Sequence, residues 1–285
     1  MKRIGFIGLG VMGYHMALNV SRKAEVPVLG FDINDNRLRM FTEAGGSAAS
    51  GTDEIYRECD VIMQMLPTHE TIASSVRDAI RLGKPGNVII DFSSADPSLI
   101  RKLDAEVSEA GMHLLDSPVS GGNPMAEAGT LSIMTGGEKA VFEEMRHVLE
   151  YMGNPVYTGT SGSGDTVKLI NNMIGGAILS AIAEGYALAE KAGMDLDTVF
   201  QATRGGFAGG PLYENKVPKI IAGDFEPGAR IAVHYKDIVN AIGFAERLGM
   251  ELPVTGKVYE IMKWMMENGY ADEDQAAMIK FYEKV

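Results

Sequence analysis

The first half of the chain alternates short runs of consecutive apolar residues with longer stretches whose apolar positions recur every three to four residues. Residues 4–7, 26–31, 61–66, 88–92, 113–115 and 131–134 have the length and make-up of strands buried on both faces. Between them, 15–23 and 99–110 carry helical spacing. Repeated strand–helix–strand units predict a parallel sheet with helices on both sides, an α/β domain of the Rossmann type. The pattern changes after the glycine- and serine-rich run at 159–164. A helical pattern extends over 165–192, with Val167, Ile170, Ile174, Ile178 and Ala181 at three-to-four spacing; such a helix is roughly 40 Å long. Further helices are predicted at 196–203, 212–221, 235–248, 254–268 and 272–282, with no strand signal of comparable strength. The expected organisation is an α/β domain over 1–160 and an all-α domain over 161–285, entered through the long helix.

Composition narrows the class. The 285 residues are 46% hydrophobic and 22% charged, which excludes wholesale disorder. Acids outnumber bases 38 to 26, a net charge of −12 that argues against a broad nucleic-acid surface. A single cysteine, Cys59, allows no internal disulfide and no thiolate metal cluster, and suits a reducing, cytoplasmic setting. The apolar N-terminal run is broken by Gly5, Gly8, Gly10 and Gly13, unlike a secretory signal. The apolar stretch 173–189 contains Glu184 and falls short of a membrane span. A soluble protein without a membrane partner is expected.

Three motifs carry chemistry. Gly8-Leu9-Gly10-Val11-Met12-Gly13 is a G-x-G-x-x-G turn directly after a strand and opening a helix. Its glycines permit a tight turn, the approach of a pyrophosphate and close helix–strand packing, and the helix N-terminus attracts the phosphates. Asp32 closes the next strand 19 residues after Gly13, where a carboxylate accepts from the adenosine ribose hydroxyls. Together they predict dinucleotide binding. Asp32 repels a 2′-phosphate and favours NAD, while the nearby Arg37 leaves NADP open. Asp116-Ser117-Pro118-Val119-Ser120-Gly121-Gly122 offers a hydroxyl and bare main-chain amides to an anion, though a plain strand-ending turn explains it equally well. Lys168 and Asn172 share one helix face and can protonate and orient a substrate oxygen; a solvated helix face is the alternative. His234 reads as a surface or capping histidine, and no metal site is expected.

The opening GFIGLGVMG, Met65-Leu66-Pro67, DSPVSGG at 116–122, Gly164-x-x-x-Lys168-x-x-x-Asn172 and Lys236-Asp237 occur in one order along essentially the whole chain. In this the sequence resembles the beta-hydroxyacid dehydrogenase family. The resemblance implies reversible hydride transfer between a nicotinamide cofactor and a small carboxylated semialdehyde. It makes Lys168 the catalytic lysine, helped by Asn172, which also holds the substrate. Ser120, Gly121 and Gly122 would receive the substrate carboxylate. Leu66, Pro67 and Ser94 would contact the cofactor alongside the glycine turn, with Thr71 at a more variable contact position. Lys236 would close over the nicotinamide from the second domain. Where the related 6-phosphogluconate dehydrogenases carry a histidine and an acid, this chain has Asn171 and Gly175, which disfavours oxidative decarboxylation. The run RGGFAGG at 204–210 looks like the RGGLAGS of tartronate semialdehyde reductases. A 3-hydroxyisobutyrate dehydrogenase, or another short hydroxyacid dehydrogenase, is the alternative; a non-catalytic dinucleotide sensor is the reading from a different class. The family also implies a homodimer or homotetramer.

Overall fold

The computed structural model describes residues 2–283. The chain divides into two compact units, the first ending at Lys168 and the second starting at Leu169.

In the first unit the order is β1 (Ile4–Ile7), α1 (Val11–Lys23), β2 (Val28–Phe31), α2 (Asp35–Glu43), β3 (Ser47–Ala48), α3 (Thr52–Glu58), β4 (Val61–Gln64), α4 (His69–Leu82), β5 (Val88–Asp91) and α5 (Pro97–Glu109). It continues through β6 (His113–Asp116), β7 (Val119–Ser120), α6 (Gly122–Ala128), β8 (Leu131–Gly137), α7 (Lys139–Leu149) and β9 (Gly153–Gly159). One sheet contains every strand, in the order β3-β2-β1-β4-β5-β6-β8-β7, with β9 also paired to β8. From β3 to β6 all pairings are parallel. An all-parallel sheet was expected, but β8 runs antiparallel to both β6 and β7. Between β6 and β8 lie only β7 and the seven-residue α6, too little chain for an ordinary crossover helix, so the strand returns in the opposite sense.

Alternating strand residues divide the core into two faces. Ile4 and Phe6, Val61 and Met63, and Val88 and Ile90 pack with Met16 and Val20 of α1 and Phe142 and Leu149 of α7. On the other face Ile7, Ile62, Ile89 and Leu114 meet Ile55 of α3, Ile72 and Val76 of α4, and Leu103 of α5. Cys59 belongs to this second face and is fully buried. Burial pushes its thiol up to about 11.

Helix α8 (Ser163–Lys191) leads into the second unit, followed by α9 (Leu196–Thr203), α10 (Pro211–Ala222), α11 (Ile231–Arg247), α12 (Pro253–Glu267), a 3-10 turn at Gln275–Ile279 and α13 (Lys280–Glu283). The expected single helix over 272–282 is therefore absent. Asp274 forms an isolated bridge with Arg230 and caps the 3-10 turn through the amide of Ala276. Its carboxylate also accepts from Lys216 Nζ at 2.8 Å and from the amides of Gly228 and Ala229, holding a strand-like segment where helical periodicity alone predicts another turn. Burial works against this charge; Lys216 and the amides outweigh it and hold the carboxyl below its usual range.

Leu179, Ala183 and Tyr186 of α8 pack with Phe200, Val217, Ile238, Val258 and Met262. The apolar positions that announce this helix in the sequence lie elsewhere on it: Ile170, Ile174 and Ile178 are 48%, 57% and 42% exposed. Apolar on both sides, α8 corrects the expectation that this stretch falls short of a membrane span: it reaches a mean hydropathy of 1.3 over 18 residues and is long and apolar enough to cross one, by length and composition only, a test that core helices also pass.

The Lys216–Asp274 pair makes the second unit sensitive to a single change. Replacing Lys216 with Met strands a buried carboxylate and is expected to lower unfolding stability by about 3 kcal/mol, measured by urea denaturation at neutral pH.

Candidate active site

Strand register sets the site. Ile7 pairs with Phe31 and Gln64, Gln64 with Asp91, and Asp91 with Asp116. The chain therefore leaves β1, β2, β4, β5 and β6 along one edge, delivering Gly8, Asp32, Met65–Leu66, Phe92–Ser94 and Ser117 to the same end of the sheet. Strand order reverses between β1 and β4, and parallel α/β sheets bind ligands outside such a switch point.

At that point the glycine turn is stereochemically required. Gly8 has φ +93°, and a Cβ there would lie 2.3 Å from the carbonyl oxygen of Met65. A Cβ on Gly13 would lie 2.0 Å from the carbonyl oxygen of Gly8. Gly10 differs: nothing lies within 4 Å of where its Cβ would be, so the missing atom leaves open space. Gly10 is also the N-cap of α1, and no side chain caps that end. The first amides of a helix lack intrahelical acceptors, and here they face the side from which a pyrophosphate would approach. Leu9 is buried, Met12 packs against the core and Val11 is exposed. Asp32 accepts from the Leu9 amide at 2.7 Å and the Asn34 amide at 2.8 Å. A carboxylate offers about four acceptor positions, so capacity remains for ribose hydroxyls. This edge fits a dinucleotide.

Buried acids hold the neighbouring segments. Asp91 accepts from Ser93 Oγ at 2.6 Å, and Ser93 Oγ accepts from the amide of Leu66 at 2.9 Å; that relay fixes the turn into exposed Pro67. Asp165 accepts from the amide of Ala95 at 2.8 Å, next to half-buried Ser94. Asp116 accepts from the amides of Gly162 at 2.9 Å and Asp165 at 3.0 Å. Burial pushes Asp116 up to about 7, against these two amides, and the charge of Asp91 adds to the rise. A carboxyl so raised favours folding while protonated, and that contribution is lost as pH climbs from about 4 to about 7. Thr71 acts locally, its hydroxyl joining that of Thr68 in the capping box of α4.

The remaining predicted residues fall into two groups. Ser120, at the end of β7, precedes Gly121 and Gly122, whose φ values of +138° and +67° demand glycine and bend the chain into α6. Lys168 is half-buried in the second turn of α8. In the second unit, Asn172 Nδ2 donates to Asp237 Oδ2 at 2.6 Å while Asn172 Oδ1 accepts from Asn171. Because a carboxylate only accepts, Asp237 decides which way the Asn172 amide faces. Lys236 Nζ lies 3.6 Å from Asp237 Oδ1. His234 corrects the sequence reading: it is buried, and its Nε2 is 2.8 Å from the carbonyl oxygen of Asn172. Motif reading passes over Asp91 and Asp165 and gives Asp116 no role although it opens the DSPVSGG run; all three accept from backbone amides near this end of the sheet. The signal for Asp91 and Asp116 is an Asp ending an otherwise apolar strand, in Val88-Ile89-Ile90-Asp91 and Leu114-Leu115-Asp116; Asp165, in the first turn of α8, carries no such signal.

Comparison with known proteins decides the family. Residues 3–162 match the NAD binding domain of 6-phosphogluconate dehydrogenase, and 162–282 match the domain described as NAD-binding of NADP-dependent 3-hydroxyisobutyrate dehydrogenase. The chain belongs to the beta-hydroxyacid dehydrogenase family. It is 34% identical to the 2-(hydroxymethyl)glutarate dehydrogenase of Eubacterium barkeri, over 99% of this chain and 95% of the relative. It is also 34% identical to the 2-hydroxy-3-oxopropionate reductase of Escherichia coli K12, over 99% and 97%. Among solved structures, the Mycobacterium tuberculosis 3-hydroxyisobutyrate dehydrogenase with L-serine superposes with a TM-score of 0.89 at 31% identity, covering 98% of each chain. This beta-hydroxyacid dehydrogenase is an NAD(P)-dependent oxidoreductase.

The glycine geometry separates folding from binding. Gly13→Ala is expected to lower the melting temperature by several degrees through its backbone clash. Gly10→Ala should melt as the parent does, yet lose at least ten-fold in dinucleotide affinity, read by fluorescence titration alongside thermal unfolding.

Proposed function

We propose that this enzyme reduces tartronate semialdehyde to D-glycerate, with NADH as the preferred cofactor. The observation that carries the reading is the turn at Ser120: one hydroxyl followed by two glycines of positive φ, whose bare main-chain amides suit the carboxylate of a small substrate. The substrate choice draws support from the RGGFAGG run and from the likeness to the Escherichia coli reductase. That run forms the turn between α9 and α10, where Arg204 is braced by two hydrogen bonds to Glu214. NADH is preferred because Asp32 repels a 2′-phosphate.

When bound, the cofactor supplies the hydride. Lys168, an ammonium at neutral pH, donates its proton to the carbonyl oxygen as that oxygen gains charge. Ser120 and the amides of Gly121 and Gly122 hold the carboxylate and so orient the carbonyl. Asn172, set by Asp237, steadies the substrate, and Lys236 contributes positive charge. In the oxidative direction Lys168 must first lose a proton, so oxidation speeds up at alkaline pH. The single cysteine supports a reducing, cytoplasmic setting, and the exposed Ile170, Ile174 and Ile178 support assembly as a homodimer or homotetramer through α8.

Initial rates with the semialdehydes of tartronate, methylmalonate and succinate, and with 2-(hydroxymethyl)glutarate in the oxidative direction, test the substrate. The highest kcat/KM is expected for tartronate semialdehyde; a higher value for any other compound transfers the assignment to it. Lys168→Ala should lower kcat by 10²-fold or more with dinucleotide affinity little changed. Comparing kcat/KM for NADH and NADPH checks Asp32: a preference for NADPH contradicts its proposed role.

A further inference from the structure

Asp116 is fully buried at the end of β6, and both of its carboxylate oxygens are spent on the start of one helix. Oδ1 takes the amide of Gly162 and Oδ2 the amide of Asp165, spanning the entry and first turn of α8. Those amides have no intrahelical acceptor, and a carboxylate beside them also meets the positive end of the helix. Backbone closes in around the pair: a Cβ on Gly164 would come within 2.5 Å of the Asp116 carbonyl oxygen, and one on Gly136 within 2.6 Å of Oδ1. Lys168 projects from the same helix three residues beyond Asp165, a rise of about 4.5 Å.

We propose that Asp116 is a positioning residue for Lys168, its carboxylate fixing the first turn of α8 and thereby the place from which the ammonium group reaches the substrate. The proposal rests on the reading of Lys168 as the proton donor. An apolar or amide side chain would fill the same space without a buried charge. At neutral pH the ionised acid weakens the fold, because its carboxyl is raised by burial and by Asp91. What the ion supplies in return is two acceptors at once. Protonation converts one of them into a donor facing an amide N–H, so titration of Asp116 alters its hold on the first turn of α8. The charged groups around it are Asp91 from β5, Asp165 from α8 itself, and Arg101 and Asp104 from α5. Arg101 would lie 3.2 Å from a Cβ on Gly162, and Asp104 lies beside Ser161.

A double-mutant cycle distinguishes positioning from general support. In the otherwise unaltered enzyme, Asp116→Asn keeps one acceptor and is expected to lower kcat about ten-fold, with dinucleotide affinity and KM changed less than three-fold. In the Lys168→Ala background the same change should lower the residual single-turnover rate less than two-fold. A full ten-fold loss in both backgrounds overturns the proposal, as does unaltered kcat in Asp116→Asn alone. Wild-type turnover in Lys168→Ala would instead remove the reading of Lys168 on which the proposal stands. Should Asp116→Asn not fold, the unaltered protein decides the matter. Across the titration of Asp116, the amide resonances of Gly162 and Asp165 and the side-chain resonances of Lys168 should shift with a common midpoint in NMR spectra; Lys168 resonances that do not move with those amides overturn the proposal.

Discussion

Carboxylates that grip backbone amides at the open edge of the sheet are the interaction on which this site depends. Asp32 holds Leu9, Asp91 reaches the Leu66 amide through Ser93, Asp165 holds Ala95, and Asp116 holds the start of α8. A hydrogen bond to a charged acceptor contributes roughly 1.5–3 kcal/mol, more than a neutral one. Each such bond also has a direction, which hydrophobic packing lacks. The apolar faces of the sheet determine that the strands stack; the acids determine where the chain goes once it leaves them.

This division explains how flexible loop sequences become fixed instruments. The loops after β1, β2, β4 and β5 are short, and each is tied within a few residues of its strand by a carboxylate or a relay through a hydroxyl. Register aligns the strand ends, so the ties themselves fall in a row. In the second unit Asp237 applies the same chemistry to a side chain instead of the backbone, selecting the face of the Asn172 amide. Acceptors that cannot donate are well suited to such a role, since they leave one solution for the partner's orientation.

Much of the fold is legible because buried parallel strands are continuous apolar runs and because the glycine turn needs its residues for steric reasons. What escapes is informative. β9, over Gly153–Gly159, contains Pro155 and glycines at both ends, so it reads as a turn; only pairing to β8 makes it a strand. β7 has two residues and no pattern to detect. On α8 the isoleucines at 170, 174 and 178 share a spacing with Leu179, Ala183 and Tyr186, and periodicity cannot tell which face meets the core. The segment at 272–274 departs from helix because Lys216, 58 residues away from Asp274, claims its carboxylate, information that no local window holds. For the candidate site, the glycines, Asp32 and the Lys168–Asn172 spacing stand out as motifs. Asp91 and Asp165 do not, since a lone Asp usually marks a solvated loop, and Asp116, though it opens a motif, shows no bracing role in the sequence.

The burial of Cys59 has a practical consequence. A thiol sealed beneath α3 and held almost wholly protonated near neutrality offers alkylating reagents neither access nor a thiolate. The native chain thus comes already silent toward maleimide dyes, and a cysteine introduced on an exposed helix surface would be labelled alone, with no background-cleaning substitution in the core.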